Sequence, residues 1–172
     1  MRLLTREDIL RAFEALSTEL PSASAPHDLT IMGGAALVLR FQARDSTRDV
    51  DAVSSDKIMR DAAARVGKRL GLPEDWLNDG AKGYVHGLAL GDLVFESAAL
   101  RVRMLAVPQL LAMKLSAWRD DLDIADARLL LSKLPGETGE VWGLIEAYLV
   151  PGRELKARYA FDDLWEALHG AS

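Results

Sequence analysis

Apolar positions Ile9, Leu10, Phe13, Leu16 and Leu20 recur at three- and four-residue spacing, the period of one helix face. Thr5 and Asp8 stand ahead of them as a capping box with aspartate in place of glutamate, and Pro21 ends the segment. After a loop over 21–27, Leu29–Met32 reads as a short strand that breaks at Gly33-Gly34, with a helix from Ala35 to about Phe41. Arg48–Val53 reads as a second strand, closed by Ser54-Ser55, either of which can cap a helix from about Asp56 to Leu70. Gly71 and Pro73 close that helix, and Glu74–Asn78 is expected to add one turn. Three partly alternating runs follow, Tyr84–Leu90, Leu93–Glu96 and Leu100–Leu105, and predict strands, with Gly91-Asp92 turning between the first two. Pro108 suits the first turn of a helix that reaches Arg119, with a continuation through Leu131 open, and Pro135-Gly136 stops it. Helices over about 138–149 and 153–168 complete the pattern. Their stripes (Trp142, Ile145, Tyr148; Tyr159, Leu164, Trp165, Leu168) read as core. The expectation is one α/β (α+β) domain over 1–172, with its core at about 28–131 and a helical C-terminal half at about 138–169.

Composition narrows the chemistry. The 172 residues contain no cysteine and three histidines, which excludes disulfides, thiol catalysis and thiolate zinc sites. No stretch has the roughly 18 uninterrupted apolar residues of a membrane span, and the N-terminus lacks a signal-peptide pattern, so a cytoplasmic protein without a membrane partner is expected. The net charge of −5 argues against a general nucleic-acid binder. The charge is uneven, however. Between Arg40 and Arg69 eight basic residues face five acids, so that window is +3 and the remainder −8. A locally basic segment of this kind suits a phosphate-bearing ligand, and equally a solvated helix face.

The most informative segment runs from Ile31-Met-Gly-Gly-Ala-Ala-Leu to Arg44-Asp-Ser-Thr-Arg-Asp-Val-Asp-Ala-Val53. A strand that ends in Gly33-Gly34 before a helix brings bare backbone N–H groups and a helix N-terminus to one point, which attracts phosphate. On the next strand Asp49 and Asp51 stand two apart and project from one face. Two such carboxylates repel unless a cation lies between them, and Mg²⁺ (or Mn²⁺) is the hard cation that bridges carboxylates and substrate phosphates. Together these parts outline metal-assisted phosphoryl or nucleotidyl transfer. No Walker phosphate loop and no nucleophile elbow occurs.

The ordered set of strand, Gly33-Gly34, helix, Arg44, Thr47 and Asp49-Val50-Asp51 resembles the nucleotidyltransferase superfamily with its polymerase-beta-like fold. It is most similar to bacterial abortive-infection (AbiEii-type) nucleotidyltransferase toxins and their uncharacterised relatives. These also carry a helix like Leu111-Ala-Met-Lys-Leu-Ser-Ala-Trp-Arg119 followed by an Asp-rich stretch, here Asp120–Asp126. The resemblance covers about residues 28–131. It implies a nucleotidyltransferase-like mixed sheet flanked by helices. It also implies transfer of a nucleoside monophosphate from an NTP to a hydroxyl on RNA (such as tRNA), protein or a small molecule. Asp49 and Asp51 would hold Mg²⁺, Gly33, Gly34, Arg44 and Thr47 would hold the nucleotide, and Lys114 with Arg119 would neutralise its phosphates. A toxin role beside a cognate antitoxin is part of the same implication. Full members of the superfamily add a third carboxylate on a neighbouring strand. Leu100–Leu105 shows arginines there, which leaves Glu96 as the first substitute and Asp92 as the next.

Read without the family, Lys114 rises from an apolar collar of Leu110, Leu111 and Trp118, an expensive place for an ammonium without an anion. Its candidate partners are Asp121 and a bound triphosphate. Arg119, Asp123 and Asp126 fall at the spacing of intrahelical ion pairs. The alternative to an enzyme is a catalytically degenerate relative, a nucleotide- or partner-binding regulatory module, which the missing third acid favours.

Overall fold

The computed structural model describes residues 2–53 and 56–170. The chain falls into two compact units, one of residues 1–82 and 90–105, the other of 83–89 and 106–172.

The first unit is built on a five-stranded mixed sheet. Its elements in chain order are β1 (Leu4–Thr5), α1 (Arg6–Glu19), β2 (His27–Met32), α2 (Gly33–Ala36) continued by a π-helical turn (Leu37–Phe41), β3 (Ser46–Thr47), β4 (Val50–Ala52), α3 (Lys57–Leu70), β5 (Leu77–Asn78), β6 (Leu90–Glu96) and β7 (Leu100–Leu105). A 3₁₀ helix spans Gly80–Tyr84. The strand order is β5-β4-β2-β7-β6, with β2–β7 and β4–β5 parallel and β2–β4 and β6–β7 antiparallel. β1 and β3 form a separate two-stranded ladder in which Leu4 pairs with Thr47.

Alternation along the strands gives this sheet two unlike faces. Leu29, Ile31, Val50, Ala52, Val102 and Met104 are buried on one. Phe95 of the same face meets Phe13 of α1 at 5.7 Å between ring centroids, and α1 packs on α3. The opposite face carries Asp28, Thr30, Arg101, Arg103 and Asp51, because Asp28 pairs with Arg101, Thr30 with Arg103 and Met32 with Asp51.

The capping box at α1 forms as read: Thr5 Oγ1 accepts from the Asp8 N–H, and Asp8 Oδ2 accepts from the Thr5 N–H. Ser54 and Ser55, the expected caps of the next helix, lie outside the described residues; the cap of α3 is Asp56, whose Oδ1 accepts from the Met59 N–H at 2.8 Å. Two expectations need correction. Residues 74–78 form no helical turn, because Trp76 drops into the core and the chain continues into β5 alongside β4. Tyr84–Leu90 is not a strand: the 3₁₀ helix takes its start, and strand pairing begins at Leu90. Gly91-Asp92 sits inside β6, where the ladder with β7 shifts register, rather than in a turn.

The second unit is helical: α4 (Val107–Ala117), α5 (Asp121–Leu131), α6 (Thr138–Glu146) and α7 (Glu154–His169). The helix that opens near Pro108 stops at Trp118, which takes a left-handed conformation (φ 40°), and Asp120 caps a new helix. Ile145, Phe161 and Leu164 are buried, and Trp142, Phe161 and Trp165 make tilted ring contacts in series. Tyr159, expected in the core, is 64% exposed. No helix among the described residues is long and apolar enough to cross a membrane. The architecture is thus mixed α/β with flanking helices and a helical C-terminal half.

Candidate active site

Four short segments of the first unit meet at the C-terminal end of β2. Met32 is still extended, but Gly33 turns into the left-handed region at φ +62° and starts α2. A side chain there would be strained by its backbone, and its Cβ would lie 2.9 Å from Asp51 Oδ2. At Gly34 a Cβ would collide with the Thr47 hydroxyl and lie 2.5 Å from a terminal nitrogen of Arg44. The two glycines therefore let a carboxylate, a hydroxyl and a guanidinium close over a bare backbone turn. Thr47 is buried and held in place by the β1–β3 pairing. The structure thereby brings together five of the residues singled out by sequence: Gly33, Gly34, Arg44, Thr47 and Asp51.

Asp49 joins them from the same strand segment, two residues before Asp51, and both aspartates are half-buried. Asp49 Oδ2 accepts a hydrogen bond from Asn78 Nδ2 at 3.0 Å. Asn78 pairs with Asp51 in the β4–β5 ladder, and Gly80 lies next to it, its Cβ position 4.0 Å from Asp51 Oδ1. The sequence offers Trp76-Leu-Asn-Asp79 either as a rim of the site or as a turn around a buried tryptophan, with the turn preferred, and gives Asn78 no role of its own, because no periodicity marks a two-residue strand.

Glu96 is not brought to this site. It pairs with Arg101, which pairs with Asp28, whereas Asp51 pairs with Met32, four residues further along β2 and three strands away from β6. At about 3.3 Å per residue and about 4.8 Å per strand this separates the two Cα atoms by about 19 Å. Asp92, the second substitute, is exposed and ion-paired with Arg40 at 2.5 Å. On the face that Asp51 occupies, the strand next to β2 presents Arg101 and Arg103. Arg101 binds Asp28 through two nitrogens, at 2.7 and 3.1 Å. Among the described residues no cluster of three or more histidine, aspartate or glutamate side chains is placed to hold a metal ion.

The donor set at the turn nevertheless suits a magnesium ion. Mg²⁺ is commonly held by one or two protein carboxylates, with substrate phosphate and water completing its six oxygens. Asp49 and Asp51 supply those two carboxylates beside the glycine turn, with the Arg44 guanidinium and the Thr47 hydroxyl close by.

Lys114 and Arg119 belong to the second unit and have protein partners there. Lys114 Nζ lies 2.8 Å from Asp123 Oδ1 and 2.8 Å from Asp126 Oδ2. Arg119 donates to Asp123 Oδ2 through Nε at 3.0 Å and through its backbone N–H at 3.2 Å. Both aspartates are 3% exposed, Lys114 13%. Burial pushes the Asp123 carboxyl up, but hydrogen bonds from Arg119 and Lys114 and the Lys114 charge outweigh it and bring it down to about 2. The lysine's partners are thus Asp123 and Asp126; Asp121, expected from the helical spacing, is exposed. The break at Trp118 explains the difference, because it removes the continuous helix on which that spacing was counted.

Residues 7–133, from α1 to the end of α5, match the model of a family described as nucleotidyltransferases of unknown function, DUF6036. No curated protein and no solved structure matches the chain. The match covers 127 of 172 residues, including both aspartates and the glycine turn, and the chain belongs to this nucleotidyltransferase family.

Proposed function

We propose that the chain moves a nucleoside monophosphate from an NTP to a hydroxyl acceptor, with Mg²⁺ or Mn²⁺ held by Asp49 and Asp51. The observation that carries this reading is the closure of Asp51, Thr47 and Arg44 over the Gly33-Gly34 turn, which leaves no room for a side chain at either glycine. The turn's backbone N–H groups and the Arg44 guanidinium would hold the triphosphate, and Thr47 would add a hydroxyl. In the reaction an acceptor oxygen bonds to the α-phosphorus and the bond to the bridging oxygen breaks. Pyrophosphate leaves with the electron pair, and the hydroxyl proton passes to solvent. A divalent cation between Asp49 and Asp51 would supply charge neutralisation for the phosphates. Similarity to abortive-infection toxins favours tRNA or a protein as acceptor, a cognate antitoxin as partner and the cytoplasm as location.

A second reading has one specific observation in its favour. Arg103 and Arg101 occupy the strand where a third carboxylate would complete the catalytic set, and Glu96 is remote. A protein that binds nucleotide without transferring it fits that arrangement.

The test uses the purified chain, Mg²⁺ and each of the four α-labelled NTPs, with and without bulk tRNA. Label that appears on protein or RNA in the wild type and disappears in Asp49→Asn and Asp51→Asn supports transfer. Label retained in both variants refutes the metal assignment. NTP binding without transfer selects the second reading.

A further inference from the structure

We propose that Asn78 is a positioning residue for Asp49: it holds one carboxylate oxygen of Asp49 and leaves the other for the divalent cation. The inference rests on the metal assignment made for Asp49 and Asp51.

Three of the four hydrogen bonds open to the Asn78 side-chain amide are made. Nδ2 donates to Asp49 Oδ2 and to the Asp75 carbonyl, each at 3.0 Å, while Oδ1 accepts from the Gly80 N–H at 2.7 Å. Chemistry fixes the amide orientation. Reversed, Oδ1 would face a carboxylate and a carbonyl, and the NH₂ group would face an N–H. Two of the three bonds shape the 75–80 turn and would be made whatever the protein does. The third leaves the turn and reaches Asp49, 29 residues away in the chain. Asp49 is half-buried and has no hydrogen-bond or ion-pair partner among the described residues apart from Asn78. One oxygen is therefore anchored by a neutral donor and the other is not.

Asn78 also stands where a carboxylate would be tolerated only with a cation present. It pairs directly with Asp51 in the ladder and touches Asp49. A third negative charge here would face two others, whereas an amide donates to one and repels neither. Groups that orient metal-binding carboxylates in this way typically contribute 10–100-fold in metal affinity or activity.

The experiment measures Mn²⁺ uptake by the full chain from the electron paramagnetic resonance of the free ion, and thermal melting with and without Mn²⁺. It compares wild type, Asp49→Asn, Asn78→Ala and Asn78→Asp at a temperature where circular dichroism shows each folded. Asp49→Asn should lose uptake, and Asn78→Ala should weaken it by about 10–100-fold. A role confined to the turn would lower the melting temperature of Asn78→Ala and leave its Mn²⁺ affinity within about twofold of wild type, which overturns the inference. Asn78→Asp keeps the shape, loses the donor and adds charge. It should melt below wild type without metal and gain more from Mn²⁺ than wild type does; an equal or smaller gain also counts against positioning. Absence of saturable uptake in the wild type refutes the metal site itself, a result separate from normal uptake that ignores Asn78.

Discussion

Lys114 is the residue for which sequence pattern and tertiary structure disagree most sharply, and Lys114→Met separates the two readings. The substitution keeps the apolar stem and removes the ammonium. In the wild type that ammonium lies 2.8 Å from each of two aspartates that are 3% exposed. A contact at this distance is worth about 6 kcal/mol at an effective dielectric constant of about 20, so the pair of contacts is about 12 kcal/mol gross. Burying an ammonium costs several kcal/mol, the two carboxylates repel one another, and removal of one partner from a buried pair typically costs about 3–5 kcal/mol net. Lys57→Met is the internal control. Its pair with Asp61 is as short, 2.6 Å, but lies on the surface, where such pairs contribute less than about 1 kcal/mol. Urea unfolding at pH 7 should lower the midpoint of Lys114→Met by on the order of 2 M and barely move that of Lys57→Met. Adding Asp126→Asn to Lys114→Met should return at least about 1 kcal/mol, because one of the two buried charges is gone. Acid titration provides a second readout. Asp123 titrates near 3.8 unfolded and about 2 folded, so its contribution is complete above pH 3.8 and disappears as pH falls towards 2. The shift corresponds to about 2 kcal/mol. Lys114→Met should lose less on acidification than the wild type. If Lys114→Met costs no more than Lys57→Met, the ammonium is not a brace for α4 and α5, and the reasoning from burial is wrong.

Other outcomes follow from single residues. Gly33→Ala should destabilise by about 1–2 kcal/mol through its left-handed backbone and, by pushing Asp51 Oδ2, reduce NTP-dependent transfer more than it reduces stability; unchanged transfer would remove the turn from the site. Glu96→Gln should leave divalent-dependent transfer within about twofold of wild type, since the sheet register puts it about 19 Å from Asp51; a large loss would contradict that register. Trp76→Ala should cost about 3–5 kcal/mol in denaturant unfolding, because the indole is 1% exposed and its Nε1 donates to the Ala63 carbonyl at 2.9 Å.

What the sequence determined by itself was whatever depends on near neighbours. The Thr5–Asp8 box, the strand that ends at Gly33-Gly34, the helix over 57–70 with its left-handed Gly71 and the shared face of Asp49 and Asp51 all rest on spacings of two to four residues, where backbone geometry leaves few choices. The gathering of Arg44, Thr47 and Asp51 at the glycines was legible through the family resemblance, though not from periodicity. The Arg119–Asp123 pair was legible in its four-residue spacing, but tertiary structure alone decided the partners of Lys114 and the place of Glu96. Glu96 and Asp51 sit on strands joined only through two intervening ones, and their separation depends on register, which no local pattern fixes. The partners of Lys114 depend on one left-handed residue, Trp118, that splits a helix the apolar spacing would have continued. Asn78 reaches Asp49 because a two-residue strand pairs in parallel with β4 across 26 intervening residues, from Asp51 to Asn78 in chain order, and a contact of that kind is set by the packing of Trp76 rather than by any residue beside it.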